Sequence, residues 1–434
     1  MKRFVFIAVA CLLCAAPVHA HRGRLQRAYV ATHGQLSAYL VESNGEMLPI
    51  GFKGLPARFG GSLRSKVTVP TLKQAGSIVA TPNGRFLYVA GCAPTPRGYT
   101  GNADRLEEIE AYRVGRAGVP REIAPPTQIE GCLTGNAPPY QTLAVSANGR
   151  RLFAAGGISY DIASGGGKDN IHVHAFRIEP TGQLLPAGDA QIAGLPDPTP
   201  YVALDSSGRW LFVAGLVMLR GGSGMLLQEL RVGASGSLRL AAAIRFADAN
   251  EIAFDGLAAS RNGPFLYASG TPLSGSALST HLFGYRIAAG GALKPIPGAA
   301  ADTHLIPAAQ PNYESLALAP SGRRLYVMGT STGARNGALI TSYRVDPRDG
   351  ALRPSRGSTI ATKRIARPQT IVLDATGRYL YEMDRAAGFM GGPAVLEFRT
   401  GARGAIVDND ACIGSGIAFC GRIPVRTGPI VIVR

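Results

Sequence analysis

A short pattern of apolar and polar positions recurs along this chain. In each copy an apolar run is followed by a turn of two or three residues that ends in glycine, and then by a second run with a fixed leucine and aromatic pair. The first copy, SIVATPNGRFLYVAG, spans residues 77–91. Two apolar runs joined by a tight glycine turn are typical of a β-hairpin. The later copies begin at Thr142, Tyr201, Gly256, Ser315 and Thr370.

The glycine of each turn marks the period of the repeat. These glycines are Gly84, Gly149, Gly208, Gly263, Gly322 and Gly377. Successive glycines are 55 to 65 residues apart, which leaves room for about four short strands. A second motif follows each hairpin, for example AYRVGRAG from Ala111, and indicates a third strand, a glycine turn and the start of a fourth. Such units, with no helical pattern between them, predict an all-β fold of the β-propeller type.

The first unit of the chain lacks its first strand. AYVATHG from Ala28 matches a second strand, and SAYLVESNGEML from Ser37 matches a third and a fourth. The final residues, GPIVIVR from Gly428, form a β-branched run without a hairpin partner of their own. We therefore predict a ring of seven antiparallel blades of four strands, A to D, closed by N- and C-terminal strands in one blade. Because each blade packs only on its neighbours, residues 21–434 can form a single domain.

The repeated GRxLYV hairpin, together with the YRVDxxTGxL third strand, resembles the lactonase-type seven-bladed propellers, a 6-phosphogluconolactonase-like or YVTN-repeat family that includes the fungal muconate cyclases. The resemblance covers residues 28–434. It implies hydrolysis of a small lactone at the mouth of the central channel, with a His just before a strand A and Asn, Asp or Glu after a strand B. Here no strand A is preceded by His, and only Asp384 matches the second feature.

The N-terminus has the pattern of a cleaved signal peptide over residues 1–20. Lys2 and Arg3 precede an apolar stretch that is too short to span a bilayer, and Val18 and Ala20 fit the small-residue rule for cleavage. An alternative is a lipoprotein anchor at Cys11 or Cys14, although no suitable box precedes either residue. We expect a mature chain that begins at His21 and is periplasmic or secreted.

Four cysteines remain after cleavage: Cys92, Cys132, Cys412 and Cys420. An even number in an exported protein indicates disulfides, with three connectivities open. Cys92 is expected just beyond strand B and Cys132 just beyond strand D of one blade, ends that share a face of the propeller. We therefore expect Cys92 to pair with Cys132 and Cys412 with Cys420. The alternative, a zinc site, lacks a Cys-x-x-Cys spacing, and we expect no metal and no cofactor.

The chain has a formal net charge of +17, which could favour binding of a polyanion. However, only seven of the 45 basic residues are lysine, and many arginines are scattered on turn positions such as Arg85, Arg150 and Arg323. This distribution also fits a compositional bias, so we expect no nucleic acid partner and a monomer.

Ligand sites on a propeller are expected at the rim formed by the D to A and B to C connections. Eight residues before the turn glycines, where strand A begins, the chain carries two carboxylates and two amides. Two carboxylates from adjacent blades, flanked by amides, suit a general acid and base or a site for a hard cation, and the alternative is that they cap loops and face water. The predicted substrate-binding residues are Gln141, Asp255, Glu314, Gln369 and Arg367.

Blade 7 departs from the repeat where its strand B ends. Five blades carry Val or Ala and then Gly at the two positions where blade 7 carries Glu382 and Asp384. Departures from a repeat are where function is most often placed. In a lactonase hypothesis, Glu382 or Asp384 activates water, His33 of blade 1 assists proton transfer, and Arg385 or Arg367 stabilises the oxyanion. The alternative hypothesis is a non-catalytic scaffold that binds a protein or glycan through its loop-rich face.

Overall fold

A computed structural model of the chain describes most of the repeated units. The described residues are 26–32, 35–50, 68–70, 74–94, 105–123, 125–129, 142–158, 170–193, 200–219, 222–246, 252–272, 281–298, 301–302, 305–306, 316–331, 338–362, 368–384, 394–401, 405–408, 422–424 and 430–433. They form strands and turns arranged in seven antiparallel sheets. Within these residues there is no helix of the length and apolarity that crossing a bilayer requires.

The strands follow the period of the repeat. In chain order they are β1 (Gln26–Thr32), β2 (Gln35–Val41), β3 (Met47–Pro49), β4 (Thr68–Pro70), β5 (Gln74–Ala80), β6 (Phe86–Pro94), β7 (Arg105–Val114), β8 (Pro120–Glu122), β9 (Thr127–Ile129), β10 (Leu143–Val145), β11 (Arg151–Ile158), β12 (Asn170–Ile178), β13 (Leu184–Ala193), β14 (Tyr201–Leu204), β15 (Trp210–Leu219), β16 (Gly222–Val232), β17 (Leu238–Phe246), β18 (Ile252–Ala259), β19 (Phe265–Pro272), β20 (His281–Ile287), β21 (Leu293–Pro295), β22 (Ala301–Asp302), β23 (Leu305–Ile306), β24 (Leu316–Leu318), β25 (Arg324–Ser331), β26 (Ala338–Val345), β27 (Leu352–Thr362), β28 (Pro368–Leu373), β29 (Tyr379–Asp384), β30 (Ala394–Thr400), β31 (Ile406–Asp408), β32 (Arg422–Pro424) and β33 (Ile430–Val433).

Each sheet is one blade of the ring. Strands A to D are β33, β1, β2 and β3 in blade 1, β5 to β8 in blade 2, β10 to β13 in blade 3, β14 to β17 in blade 4, and β18 to β21 in blade 5. Blade 6 uses β23 with β24, then β25, β26 and β27, and blade 7 uses β28 to β31. The predicted all-β, seven-bladed fold is confirmed.

Blade 1 closes the ring with strands from both ends of the chain. Strand β33 pairs antiparallel with β1, with Val433 opposite Arg27 and Ile430 opposite Val30. A side chain also crosses to blade 7: the amide of Gln26 donates to the Asp374 carboxylate at 2.9 Å and accepts from the N–H of Ala375 at 2.8 Å. The predicted closure by the terminal strands is confirmed.

The outer strand is less regular than the sequence pattern suggests. In blades 1, 2, 5 and 7 a second short strand, β4, β9, β22 or β32, pairs with strand C further along. Pro49 ends β3, and Pro295 ends β21. Proline lacks the N–H that a ladder needs, and it is tolerated on edge strands such as these. Strand D thus consists of two pieces in these four blades.

The core lies between blades, because each hydrophobic cluster combines residues of two neighbours. The cluster between blades 7 and 1, for example, joins Tyr381 and Met383 to Val30 and Tyr39. Strand B tyrosines also cross these boundaries and donate their hydroxyl hydrogen to the carbonyl of the next blade's C to D turn glycine. These pairs are Tyr29 with Gly118, Tyr88 with Gly182, Tyr267 with Gly350, and Tyr381 with Gly45. The turns of one blade are thus fixed by the blade before it.

Candidate active site

Strand direction assigns the connections to two faces of the ring. Because neighbouring strands are antiparallel, the A to B and C to D turns share one face, here named the turn face. The B to C and D to A connections share the opposite face, here named the mouth face. The start of strand A and the end of strand B both lie at the mouth face, so the sequence-predicted site residues belong to that side.

A β-bulge marks the row of predicted substrate-binding residues. The register of strands A and B shifts by one residue at Gly76 in blade 2, at Asp255 in blade 5 and at Gln369 in blade 7. A bulge leaves one residue unpaired in the ladder and redirects its side chain, and bulges are frequent beside active sites. Asp255 and Gln369 therefore occupy equivalent bulge positions on the innermost strands of their blades.

Sequence reasoning identified this row but missed the bulge. A signal was present, because the row reads Gly, Gln, Pro, Asp, Glu and Gln, and most of these residue types are disfavoured in regular strands. The position that follows holds hydroxyl groups that were also missed. Ser77, Thr142, Tyr201 and Thr370 are all buried there. In blades 3 and 7 the start of strand A is thus polar over two successive positions.

Blade 7 brings two predicted residues to adjacent strand positions. Asp384, the last residue of β29, pairs with Pro368 of β28, directly before the bulge at Gln369. Arg367 and Arg385, which flank this pair in sequence, lie outside the described residues. The backbone therefore places Asp384 and Gln369 at one point of the mouth face.

Glu382 lies two residues before Asp384, on the same face of β29. Its side chain is fully buried, with a relative exposure of 0%. Its cross-strand neighbours are Ile371 and Leu396, which belong to the hydrophobic cluster between blades 6 and 7. The carboxylate is therefore inside the inter-blade core, where Val89 and Val327 occupy the equivalent positions of blades 2 and 6.

The other predicted site residues are only partly covered by the structure. Gln141, Glu314 and His33 lie outside the described residues, and for Asp255, Gln369 and Asp384 the structure describes the backbone alone. Strand β1, which ends at Thr32 immediately before His33, belongs to the blade that adjoins blade 7. The grouping of these side chains into one site remains a prediction.

The cysteine pairs also remain predictions. Strand β6 continues through Cys92 to Pro94, so Cys92 lies within strand B and not just beyond it. Its register partners on the two neighbouring strands are Gln74 and Glu107. Cys132, Cys412 and Cys420 lie outside the described residues. Among the residues that the structure does describe, no three His, Cys, Asp or Glu side chains are grouped to hold a metal ion.

Comparison with known proteins supports the resemblance at the level of the fold. No family model and no curated protein matches the sequence. Among solved structures, the periplasmic gluconolactonase PpgL of Pseudomonas aeruginosa is similar, with 17% identity and a TM-score of 0.58 over 94% of this chain and 99% of that chain. Hydrazine synthase of Kuenenia stuttgartiensis is similar at 14% identity and a TM-score of 0.51 over 86% and 95%. The chain is thus a seven-bladed β-propeller whose fold is similar to that of this gluconolactonase.

Proposed function

We propose that the chain is an exported lactonase-like propeller that hydrolyses a small, sugar-derived or related lactone at the mouth face. The observation that carries this proposal is the likeness to a periplasmic gluconolactonase over 94% of this chain and 99% of the other. Blade 7 supplies the chemical support, because Asp384 ends β29 beside a strand A bulge. In five other blades a glycine stands at this position, and strand B continues past it, contrary to the strand end that the sequence pattern predicts.

In this proposal Asp384 is the general base. It takes a proton from the water that attacks the lactone carbonyl, and the tetrahedral intermediate then breaks the ring C–O bond. His33 gives a proton to the departing alkoxide, and Arg385 or Arg367 stabilises the oxyanion. The product is a hydroxy acid that releases one proton at neutral pH. Gln141, Asp255, Glu314 and Gln369 bind the polar groups of the substrate.

Glu382 is given a different task from Asp384. Its complete burial keeps bulk water from its carboxylate, so water activation falls to Asp384 at the strand end. Glu382 lies behind Asp384 on the same strand face and acts in this proposal as a positioning residue.

The test is proton release from a panel of sugar and aliphatic lactones, followed with a pH indicator on purified mature protein. Asp384→Asn should lower kcat by roughly 100-fold or more, as expected for loss of a general base. Asp189→Asn, a change on an exposed residue of the outer strand β13, is the matched control and should leave kcat unchanged. Equal kcat for the Asp384 variant and the wild type would contradict the site.

The same protein preparation distinguishes the scaffold hypothesis from the lactonase proposal. The scaffold hypothesis is favoured by the strand B glycine that five blades carry at the position of Asp384, because the resemblance implies a polar residue there. If no lactone is turned over but a glycan or protein ligand binds saturably at the mouth face, the chain is a binding module.

Export has a separate test. N-terminal sequencing of the protein from the periplasmic or secreted fraction should begin at His21. A chain that retains its first twenty residues in the cytoplasm would contradict export.

A further inference from the structure

A cavity of about 730 Å³ opens on the turn face, opposite to the mouth face. It is lined by the A to B turns of blades 2 and 3 and by the C to D turns of blades 3 and 4. Its charged lining residues are Arg85, Arg150, Arg151, Arg177 and Glu179. Four arginines and one glutamate thus line this cavity, which we name the arginine cavity.

Blade 3 differs from blades 2 and 5 where these arginines lie. In blades 2 and 5 an aromatic residue, Phe86 or Phe265, begins strand B and lies beside a strand C arginine. Blade 3 has Arg151 in place of the aromatic residue, directly opposite Arg177. Two like charges on paired positions destabilise a sheet unless other groups compensate them. The pair therefore needs a structural or functional reason.

Part of the compensation is visible in the hydrogen bonds. Arg113 of blade 2 donates to the Thr181 carbonyl in the next blade's C to D turn at 3.0 Å. At the following boundary Arg151 takes this role, with its Nη1 on the Gly233 carbonyl at 3.0 Å and its Nη2 on the Ala234 carbonyl. Arg177 instead pairs through Nε with Glu179 of its own blade at 2.7 Å. These contacts hold Arg151 at the cavity wall, whereas Arg177 remains exposed beside Glu179. Carbonyl dipoles and one carboxylate leave an excess of positive charge.

The remaining two arginines come from ordered hairpin turns. The guanidinium of Arg85 lies over the ring of Phe86, 5.5 Å from its centroid. In the Arg150 turn, the Asn148 side-chain oxygen accepts hydrogen bonds from the Arg150 N–H at 3.0 Å and from the Ser146 hydroxyl at 2.7 Å. Both side chains are exposed at the cavity. The backbone of the two turns that carry Arg85 and Arg150 is therefore ordered without a bound ligand.

We propose that the arginine cavity binds a small, soluble molecule that bears a phosphate or sulfate group. Guanidinium groups present planar pairs of N–H donors that match tetrahedral oxyanions, and they keep their charge at all relevant pH values. The volume falls in the range of small-molecule sites. Phe86, Ile178 and Pro180 supply apolar wall for the rest of the molecule. The site lies on the face opposite to the proposed hydrolase site and does not depend on it.

Blade 6 provides an internal control. It repeats the arginine pair as Arg323 and Arg324, with Arg344 opposite Arg324. However, the preceding blade carries Pro264 where blade 2 carries Arg85. Arg323 is thus equivalent to Arg150 in the repeat but belongs to a turn without the fourth arginine. A substitution there removes the same charge from the protein without changing the arginine cavity.

The test is calorimetric titration of the full-length mature protein with pyrophosphate at constant ionic strength. We expect saturable binding at one site. Arg85→Gln and Arg150→Gln should each raise the Kd roughly tenfold, as expected for loss of a charge-assisted hydrogen bond. Arg323→Gln should leave the Kd unchanged, and thermal unfolding should show that all three variants remain folded.

Three results would overturn the proposal. One is the absence of saturable pyrophosphate binding to the wild type. Another is an equal rise in Kd for Arg323→Gln, which would indicate an effect of net charge alone. The third comes from vesicles of phosphatidylglycerol and phosphatidylcholine: co-sedimentation that depends on Arg85 and Arg150, without binding of free pyrophosphate, would assign the arginines to a lipid surface.

Discussion

The hydroxyl of Tyr381 in blade 7 donates a hydrogen bond to the carbonyl oxygen of Gly45 in blade 1, at 2.7 Å and across the closure of the ring. The bond is buried, and burial raises the pKa of Tyr381 far above its usual value. Gly45 has a φ of 94° and lies against the ring of Tyr379, so a side chain at this position would clash with that ring. The hydrogen bond from Tyr381 to Gly45 thus joins the last blade to the first. It requires the hydroxyl of Tyr381 and a glycine at position 45.

We predict that Tyr381→Phe lowers the free energy of unfolding by about 1 to 2 kcal/mol, because it leaves a buried carbonyl without its donor. Blades 3 and 4 already carry Phe153 and Phe212 at this position, so the ring alone fits the site. The control is Tyr379→Phe on the same strand, which removes an exposed bond to the Ser43 carbonyl and should cost less than about 0.5 kcal/mol. Urea unfolding measures both, and equal losses would contradict the assignment.

The repeat made the blades predictable, and the blades made the ring predictable. The same reasoning could not find the Tyr381 to Gly45 bond, because the alignment of copies shows which positions are equivalent but not which neighbouring blade each side chain meets. It also treated all six hairpin glycines alike. Five adopt a φ of 66° to 70°, but Gly263 does not have a positive φ. Pro264 follows it, and proline restricts the residue before it to extended conformations.

Glu229 gives a prediction for pH. Its side chain is 2% exposed, and it accepts a hydrogen bond from the N–H of Leu293 in the next blade at 3.0 Å. Burial raises its pKa, although the Leu293 bond opposes this shift. A carboxyl whose folded pKa is raised stabilises the protein when protonated, and this contribution is lost as the pH rises through the folded pKa. Stability from this residue therefore increases toward acid.

Glu229→Gln keeps an oxygen that can accept from Leu293 and removes the titration. We expect the variant to be at least as stable as the wild type at neutral pH, with the difference shrinking toward about pH 4. Urea unfolding at several pH values measures this difference. Glu122→Gln, a change on an exposed strand residue, serves as the control. A loss of more than about 1 kcal/mol in the Glu229 variant at neutral pH would indicate a charge that stabilises the fold.

The cysteines give a prediction that depends on export. Mature protein should contain no free thiol, and peptide mapping should link Cys92 to Cys132 and Cys412 to Cys420. Closure of the loop of about 40 residues between the first pair should add roughly 3 to 4 kcal/mol of stability. Thiol titration of unfolded, non-reduced protein is the measurement, with reduced protein as the control. Detection of four free thiols would remove the pairing.

Only those residues of the candidate site that depart from the repeat could be predicted from the sequence. The rows identified Glu382 and Asp384 as departures, since five blades keep an apolar residue and a glycine there. The rows could not show that the two acids have different surroundings, because alternation along a strand places both on one face but does not give their depth. The structure places Glu382 fully inside the core between blades 6 and 7, two positions before the strand end at Asp384.

This difference sharpens the test of blade 7. The double change Glu382→Val and Asp384→Gly restores the pattern of the other blades, and Val89, Val213 and Val327 already occupy the first position in blades 2, 4 and 6. We therefore expect the free energy of unfolding to stay the same or rise, while lactone turnover or ligand binding is lost, the direction in which sites commonly trade stability for function.

Urea unfolding and the proton-release assay measure the two effects. Glu382→Gln alone is the control, since it keeps the shape of the side chain without the charge. If the double variant instead loses more than about 2 kcal/mol, Glu382 belongs to a buried ion pair, and its role in blade 7 is structural.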